Sequence, residues 1–322
     1  MKMFSNRNKK GIFFTLIAVS LLGIMLFTFG VTYSYSLHEK SAIIETRVDT
    51  MNRFLQTVDD DMQNAIYISG YRSMVALTDY LVTNGSYVTD SEAALTELFM
   101  NSTVEGYEHV FMANNTFPNW TTKIAGKGSE IGINISVSIL SLSVYHTSPW
   151  NVRFSVESEI NLSDQKSTAN WSKQKSLYSD ISIIGFEDPW YPLHTNGVVN
   201  KRINQSIHDG NFSQGNDTSN LNEHIANTYY IAFNASPSFL MRFDENYSTS
   251  PYGIESLVNK TDVLNYCSIS TSSTDHICWQ KNTSITTWRV TGINSTAFRL
   301  DNETNDAGIG RVERYGLEDV VY

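Results

Sequence analysis

The feature that most constrains this chain is an apolar segment close to its N-terminus. Residues 12–31 are twenty consecutive residues without a charged side chain. A helix of that length spans about 30 Å, the thickness of a bilayer's hydrocarbon core. Four basic residues precede it: Lys2, Arg7, Lys9 and Lys10. The positive-inside rule therefore predicts a cytoplasmic leader (1–11), a transmembrane helix (12–35) and an extracellular remainder. The alternative is a cleaved secretory signal, whose apolar region is shorter, about 7–15 residues.

A second apolar pattern follows the predicted membrane helix. Seven apolar residues recur at alternating spacings of four and three, the period of a coiled-coil seam: Ile44, Val48, Met51, Leu55, Val58, Met62 and Ala65. This pattern predicts a continuous helical stalk over 36–82, with these residues as a self-association surface. An amphipathic helix lying on the chain's own globular domain is the alternative interpretation of the same stripe.

A short motif, Lys9-Lys10-Gly11-Ile12, stands directly before the apolar run. Basic residues followed by Gly and an apolar helix resemble the class III signal of archaeal type IV pilin-like proteins. The resemblance implies that a peptidase cuts after Gly11, that Ile12 becomes the first residue, and that the apolar helix packs into a filament core. Phe13 and Leu16 differ from that signal, which usually has smaller residues and Glu at these positions.

Four later phrases resemble a group of archaeal membrane-anchored surface proteins: residues 68–72, 187–192, 236–242 and 250–256. Together they are spread over most of the chain. This resemblance implies a location and an architecture, but no activity.

Glycosylation acceptors also indicate an exterior location. Sixteen Asn-x-Ser/Thr sequons follow residue 83: Asn84, Asn101, Asn114, Asn119, Asn134, Asn161, Asn170, Asn204, Asn211, Asn216, Asn234, Asn246, Asn259, Asn282, Asn294 and Asn302. Chance would produce about five or six in a chain this rich in Ser and Thr. We therefore predict N-linked glycans, which would solubilise a surface in a chain with only 17% charged residues. An Asn/Ser/Thr-rich composition without glycans is the alternative.

Two cysteines, Cys267 and Cys278, occur in one short stretch. In an oxidising exterior they are expected to form a disulfide that closes a short loop. A metal site would need more ligands than the neighbouring His276 supplies.

The remainder of the chain predicts an α+β fold. Residues 83–123 indicate a mixed helical connector, in which Asp90 or Ser91 caps a short helix. From residue 131 the apolar period becomes two, and its phase changes at Leu140, which predicts a β-bulge or a strand end. Further short strands are expected at 152–156, 181–184, 229–233, 239–243, 263–266, 285–290 and 297–300.

These strands predict an antiparallel β-sandwich-like ectodomain over 124–322. The polar tract 200–224 is the candidate boundary between two subdomains, 124–200 and 225–322. One large core is the alternative to two small ones.

Catalytic and cofactor motifs are missing from the sequence. It has no Gly-x-Ser-x-Gly, His-Glu-x-x-His, Cys-x-x-Cys or phosphate-binding Gly-rich loop, so we predict neither an enzyme nor a cofactor. Residues 209–217 resemble a calcium loop but lack its terminal Glu, so a solvated loop is expected. Asp59, Asp60 and Asp61 are interpreted as an exposed helical face. A net charge of −10 disfavours nucleic acid as a partner.

The predicted function is that of a structural cell-surface glycoprotein, either a pilin-like filament subunit or an envelope or adhesion protein. The alternative is a membrane-anchored carbohydrate- or ligand-binding ectodomain, and a membrane-anchored hydrolase is a third. Sugar binding would use exposed tryptophans: Trp120, Trp150, Trp171, Trp190 or Trp288. The assembly hypothesis predicts that the stripe is exposed on a free helix. The ligand-binding hypothesis predicts that the stripe packs against the ectodomain and that the ectodomain has a solvent-facing aromatic cleft.

Overall fold

The computed structural model describes residues 8–167, 169–263, 265–280 and 285–322, with side chains from residue 11 onward except at 35–39. It combines one very long helix with antiparallel sheets and several short helices. Most of the predicted leader (1–7), the side chain of Lys10 and the sequon Asn282 lie outside this description.

Helix α1 (Asn8–Asn84) is by far the longest element. Its 77 residues contain no proline and extend over about 115 Å at 1.5 Å per residue. Gly85 follows the helix with a φ of 67° and donates its amide to the carbonyl of Leu81 (2.8 Å), a left-handed terminus that glycine adopts readily. The predicted membrane helix and the predicted stalk are thus one continuous helix.

The two halves of α1 differ in their surroundings. Apolar side chains between Ile12 and Val31 are exposed, whereas Ile66, Met74 and Leu77 are fully buried. The buried half packs against the strands and helices of the remaining chain, which we call the head (residues 85–322). A free-standing stalk is therefore not confirmed, because the C-terminal half of α1 packs into the head.

The stripe predicted for self-association requires a correction. Four of its members are at most 7% exposed: Met51, Val58, Met62 and Ala65. Val48 and Leu55 are half-buried, and only Ile44 is exposed. A stripe that fits a second helix also fits the apolar face of a sheet, and here the chain's own head covers it. From Met51 to Ala65 the stripe is core rather than a free surface.

The connector after α1 begins as the sequence predicts. Helix α2 (Ser91–Asn101) starts at Asp90, whose carboxylate accepts a hydrogen bond from the amide of Ala93 (3.0 Å). A small hairpin of β1 (Thr103–Val104) and β2 (Tyr107–Glu108) follows, and then a 3-10 turn (Val110–Met112).

Helix α3 (Phe117–Glu130) extends from the predicted mixed helical connector (83–123) into the predicted ectodomain (124–322). Thr116 and Asn119 form a reciprocal capping box, and Pro118 lies in the first turn, where its missing amide has no helical partner to lose. The capping box and the proline therefore start a helix at this point in the chain.

The main sheet has three antiparallel strands in the order β3-β4-β5: β3 (Ile133–Ser148), β4 (Asn151–Asp164) and β5 (Asn170–Ser182). The register shifts between Ile139 and Ser141, which confirms the predicted irregularity at Leu140. Alternate residues of β4 are buried against α1, so the sheet has an inner face and a polar outer face. Gly70 permits close approach, because a Cβ there would lie 2.8 Å from Ile181 and 2.9 Å from Phe154.

The rest of the head is built from short elements. They are α4 (Trp190–His194), α5 (Ser219–Asn227), the pair β6 (Tyr230–Ala232) and β7 (Ile254–Ser256), α6 (Asp275–Trp279), the pair β8 (Thr287–Trp288) and β9 (Leu300–Asp301), and α7 (Arg311–Arg314). The strand expected at 239–243 is instead a 3-10 turn (Leu240–Arg242), and the described part of 263–266 forms turns.

The predicted sandwich is not confirmed. Helices, rather than a second sheet, cover the inner face of β3-β4-β5 in the part of the chain that the structure describes. Buried apolar residues form a larger and a smaller cluster. The polar tract 200–224 contributes Ile203 to the larger cluster and Phe212 and Leu221 to the smaller one, and a domain boundary there stays a prediction.

Candidate membrane and assembly site

The N-terminal part of α1 has the length and composition of a membrane span. Residues Gly11–Ser34 form one apolar helical stretch of 24 residues, none of it buried in the head. The hydroxyls of Thr15 and Thr28 donate to the carbonyls of Gly11 (3.1 Å) and Ile24 (3.0 Å), so these polar groups are satisfied inside the helix. These two hydroxyls can therefore enter an apolar environment without being left unpaired.

The residues of the predicted processing signal lie at the start of this helix. Gly11 and Ile12 are exposed and helical, and the backbone of Lys10 belongs to the same helix. A Cβ added at Gly11 would meet no atom within 4 Å. A substitution of this glycine therefore disturbs no packing in the chain.

A clasp holds α1 to the lower end of the head, the end nearest the apolar helix. Arg47 donates from Nε to Asp164 (2.6 Å), from Nη1 to the carbonyl of Ile131 (2.9 Å) and from Nη2 to that of Gly132 (2.5 Å). The Asp164 side chain is only 2% exposed. This junction of α1, the start of β3 and the end of β4 is called the foot.

An open cavity of about 710 Å³ lies at the foot. One wall comes from α1 and the other from the turns at 131–132 and 164–166. Ile43 and Ile131 are exposed in this lining, Lys166 contributes positive charge, and the charge of Arg47 is paired with that of Asp164. The foot thus combines exposed apolar and basic groups at the level where α1 leaves the head.

Arg47→Met is expected to release the lower part of α1 from the head. Asp164 would lose its ion pair with the guanidinium, which costs about 1.5–3 kcal/mol for a bond to a charged group. Hydrogen exchange measured on the full-length chain should become faster for amides around residues 44–52. Arg53→Met is the control, because the ion pair of Arg53 with Asp49 is exposed. Equal acceleration in both variants would contradict the clasp.

The three consecutive aspartates do not form a uniformly exposed face. Asp59 forms an ion pair with Lys175 of β5, and Asp61 accepts a hydrogen bond from the indole of Trp120 (2.6 Å). Asp60 alone is exposed. The exposed-face interpretation is therefore wrong for Asp59 and Asp61, which tie α1 to β5 and α3.

The sequon asparagines are accessible. Fifteen of the sixteen fall within the described ranges, and none is buried. Three of them, Asn134, Asn161 and Asn170, lie on the polar outer face of the main sheet, towards the foot. Glycan occupancy itself stays a prediction, and this exposure leaves every described acceptor within reach of solvent.

The cysteines are placed as the sequence predicts. Cys267 and Cys278 form a disulfide with their Cα atoms 5.4 Å apart. His276 does not join them, since its ring lies between Asp275 and Arg311.

The tryptophans do not form a solvent-facing platform. Trp190 is fully buried, and Trp120, Trp150, Trp171 and Trp288 are only partly exposed. The stripe is packed on the head, as the ligand-binding hypothesis expects, but the aromatic cleft that should accompany it is not formed by these residues.

Sequence reasoning missed a buried ionic network in the head. Arg242 and Arg311 are both fully buried. Arg242 contacts Asp188 (2.5 Å) and Asp275 (3.0 Å), and Arg311 contacts Glu255 (2.9 Å) and Asp301 (2.5 Å). The signal available in the sequence was the phrase at 239–243, where an arginine interrupts an apolar run.

His276 joins the two halves of this network. Its Nδ1 lies 3.3 Å from Asp275 and its Nε2 lies 3.0 Å from Arg311. An Asp–His pair can orient a general base, but this Nε2 faces a guanidinium rather than a nucleophile, and the ring is 2% exposed. The arrangement fits a structural role, and the prediction that the chain is not an enzyme stays a prediction.

The charges of the network are set by burial and by the arginines. Burial raises the pKa of Asp188. Burial also acts on Asp275 and Asp301, but the neighbouring Arg242 and Arg311 hold the pKa of these carboxyls below the ordinary value. Asp275 and Asp301 are thus ionised partners of the two guanidiniums.

Metal binding has no support from side-chain clusters. Within the described ranges no group of three or more His, Cys, Asp or Glu side chains is placed to hold an ion. In the calcium-like loop, Asp209 forms an ion pair with Arg314, and Asp217 accepts from the amide of Ser219 (2.9 Å).

The comparisons with known proteins add no relative. No protein-family model matches the chain, and no curated protein or solved structure is significantly similar to it.

Proposed function

We propose that this chain is a membrane-anchored, glycosylated cell-surface subunit that assembles through its N-terminal helix, in the manner of type IV pilin-like proteins. The observation that carries the proposal is the apolar stretch Gly11–Ser34, which is helical, continuous with the head and uncovered by any described part of the chain. An apolar surface of this extent is unfavourable in contact with water, so a membrane or other helices must cover it.

The location follows from charge and glycan acceptors. Basic residues precede the apolar stretch, and all sixteen sequons follow it. This arrangement supports a cytoplasmic N-terminus and an extracellular head. Fifteen sequons lie in the head and one, Asn84, is the last residue of α1, so glycans would leave the rest of α1 free for contact with lipid or with other helices.

The surface that supports assembly is lower on α1 than the sequence predicts. Because the head covers the stripe from Met51 onward, the candidate contact surface is the exposed part of α1 below Arg47, including Ile43 and Ile44. The Arg47 clasp would fix the direction in which this part leaves the head.

The test is intact and N-terminal mass spectrometry of the protein from its native membrane. We expect a chain that begins at Ile12 and carries glycan masses on the sequons. Gly11→Leu should block the cut, whereas Gly23→Leu should not, and a Cβ at either glycine meets no atom within 4 Å.

Two other results are informative. A chain that retains residues 1–11 would contradict pilin-type processing and leave a permanent anchor, in favour of an envelope or adhesion protein. A chain that begins beyond Val31 would show a cleaved secretory signal, and the anchored subunit would be refuted.

A further inference from the structure

Strand β3 presents a free edge of unusual composition. It is an outer strand of the main sheet, and its backbone forms no hydrogen bond to described backbone outside the ladder with β4. Its sixteen residues include no Asp, Glu, Lys, Arg or Pro. Edge strands normally carry such residues because an unprotected edge pairs with other strands. Two features protect this edge in part. Helix α3 lies against its start, where a Cβ on Gly128 would be 2.8 Å from the carbonyl oxygen of Ile133, and the strand bulges at Leu140, which is 53% exposed.

The inner face of this edge is incompletely covered. Ile133 and Ile135 are buried beside α3, and Val144 is buried at the upper end. Between these ends Val137, Ile139 and Leu142 are only half-buried. A further strand alongside β3 would cover apolar surface that the chain itself leaves open.

Strand β5 is the opposite edge of the sheet, and its inner face is also incompletely covered. Trp171 and Leu177, on its inner face, are half-buried. Its backbone likewise forms no hydrogen bond to described backbone outside the ladder with β4.

The direction of the strands is tied to the direction of α1. Going up α1, Arg47 contacts Asp164 at the foot, Asp59 contacts Lys175, and Gln63 accepts from Ser179. Therefore β5 runs in the same direction as α1, away from the apolar helix. Because β4 is antiparallel to both neighbours, β3 runs in this direction too.

Anchoring in one membrane restricts how two copies can pair. Antiparallel pairing of two β3 strands would point the two apolar helices in opposite directions. Parallel pairing of two β3 strands would place the two α1 helices on opposite sides of the joint sheet. Pairing of β3 with β5 of a second copy keeps both α1 helices on one side and both apolar helices pointing the same way.

We infer that the β3 edge of one copy binds the β5 edge of a second copy by parallel strand addition. The contact is heterologous, so it continues from copy to copy into a ring or a filament. The outer face, with Asn134, Asn161 and Asn170, would remain towards solvent. The inference rests on the proposed function, because the shared membrane aligns the copies and raises their effective concentration, so that a weak edge contact is sufficient.

The test is disulfide cross-linking of the full-length chain in liposomes. Ser138→Cys on β3 is combined in turn with Ser172→Cys, Gln174→Cys or Ser176→Cys on β5, all exposed on the outer face. Within one chain, β4 separates β3 from β5 by two spacings of about 4.8 Å, more than a disulfide reaches. Both native cysteines are already paired, so a new disulfide must join two copies.

We expect at least one double variant to produce a ladder of covalent dimers, trimers and larger species, whereas Ser138→Cys alone produces none. Leu140→Lys should abolish the ladder by introducing a charge at the edge, and Val198→Lys, at a site that is 69% exposed, should leave it unchanged. In the negative control, Ser155→Cys, on the outer face of the central strand β4, replaces Ser138→Cys in each double variant, and no ladder is expected.

A further variant, Gly30→Cys in the apolar helix, distinguishes the absence of the edge contact from the absence of helix-mediated assembly. Gly30→Cys dimers without any ladder would overturn the edge contact and leave the proposed function standing. The absence of both would refute helix-mediated assembly, and the edge inference with it. Dimers of Ser138→Cys alone would show β3–β3 pairing and overturn the choice of β5 as partner.

Discussion

Arg242→Met is expected to destabilise the head by about 3–5 kcal/mol, the usual effect of removing one partner from a buried ion pair. The guanidinium is fully buried, contacts Asp188 and Asp275, and donates to the carbonyl of Ile254 (2.6 Å). It also lies 4.3 Å from the centre of the Trp190 ring. Methionine would keep part of the packing but leave two carboxyl groups without their cation.

The measurement is urea unfolding of the full-length chain in detergent, followed by tryptophan fluorescence. Arg153→Met is the matched control, because Arg153 also pairs with an aspartate, Asp180, and also covers an aromatic ring, that of Tyr178. This pair is exposed to solvent, so we expect a much smaller change. If both variants lost similar stability, the buried network would not be a special contributor to the fold.

Acid is expected to destabilise the head between pH 6.5 and 4, because two buried histidines are neutral. Burial lowers the pKa of His146 to about 4 and that of His224 to about 3. Nε2 of His146 accepts the amide of Leu240 (3.3 Å), a bond that protonation of this nitrogen would break. Burial also disfavours the protonation of His224, and the nearby His208 and Arg314 disfavour it further.

The sign follows from linkage. In the unfolded chain these histidines bind protons at about pH 6.5, above their pKa in the folded chain. Their contribution is therefore complete above pH 6.5 and is lost as the pH falls towards the folded-state pKa. For His146 the loss approaches about 3 kcal/mol, since one pKa unit corresponds to about 1.4 kcal/mol.

Urea unfolding at a series of pH values measures this loss. His146→Gln combined with His224→Gln should flatten the profile between pH 6.5 and 4. Val198→Gln is the control, because Val198 is 69% exposed and neither side chain is ionisable, and its profile should match that of the unmodified chain. An unchanged slope in the double variant would refute the assignment.

Local signals predicted several elements correctly. The uncharged run at 12–31, the lack of proline and the apolar period were sufficient for one continuous helix up to Gly85. A cap at Asp90 or Ser91 and the change of phase at Leu140 were also visible, because each depends on residues within a few positions of one another. The pairing of Cys267 with Cys278 was restricted by the presence of two cysteines in a short stretch.

Other local signals were outweighed. Residues 124–130, predicted as part of the β-rich ectodomain, are instead the end of α3, a helix that begins at the capping box of Thr116 and Asn119. At 239–243 the apolar run predicted a short strand, whereas the structure forms a 3-10 turn that places Arg242 between Asp188 and Asp275. Those partners are 54 and 33 residues away, so no local pattern reveals them.

The sequence by itself determined that an apolar helix begins the chain, that it continues as an amphipathic helix, and that the glycan acceptors follow it. Only the tertiary structure decided what covers the amphipathic stripe. Helical periodicity specifies that a face is apolar, and the apolar face of a second helix or of a sheet satisfies it equally well. Here the inner face of β4 and β5 covers the stripe from Met51 to Ala65, while Gly11–Ser34 is not covered by any described part of the chain.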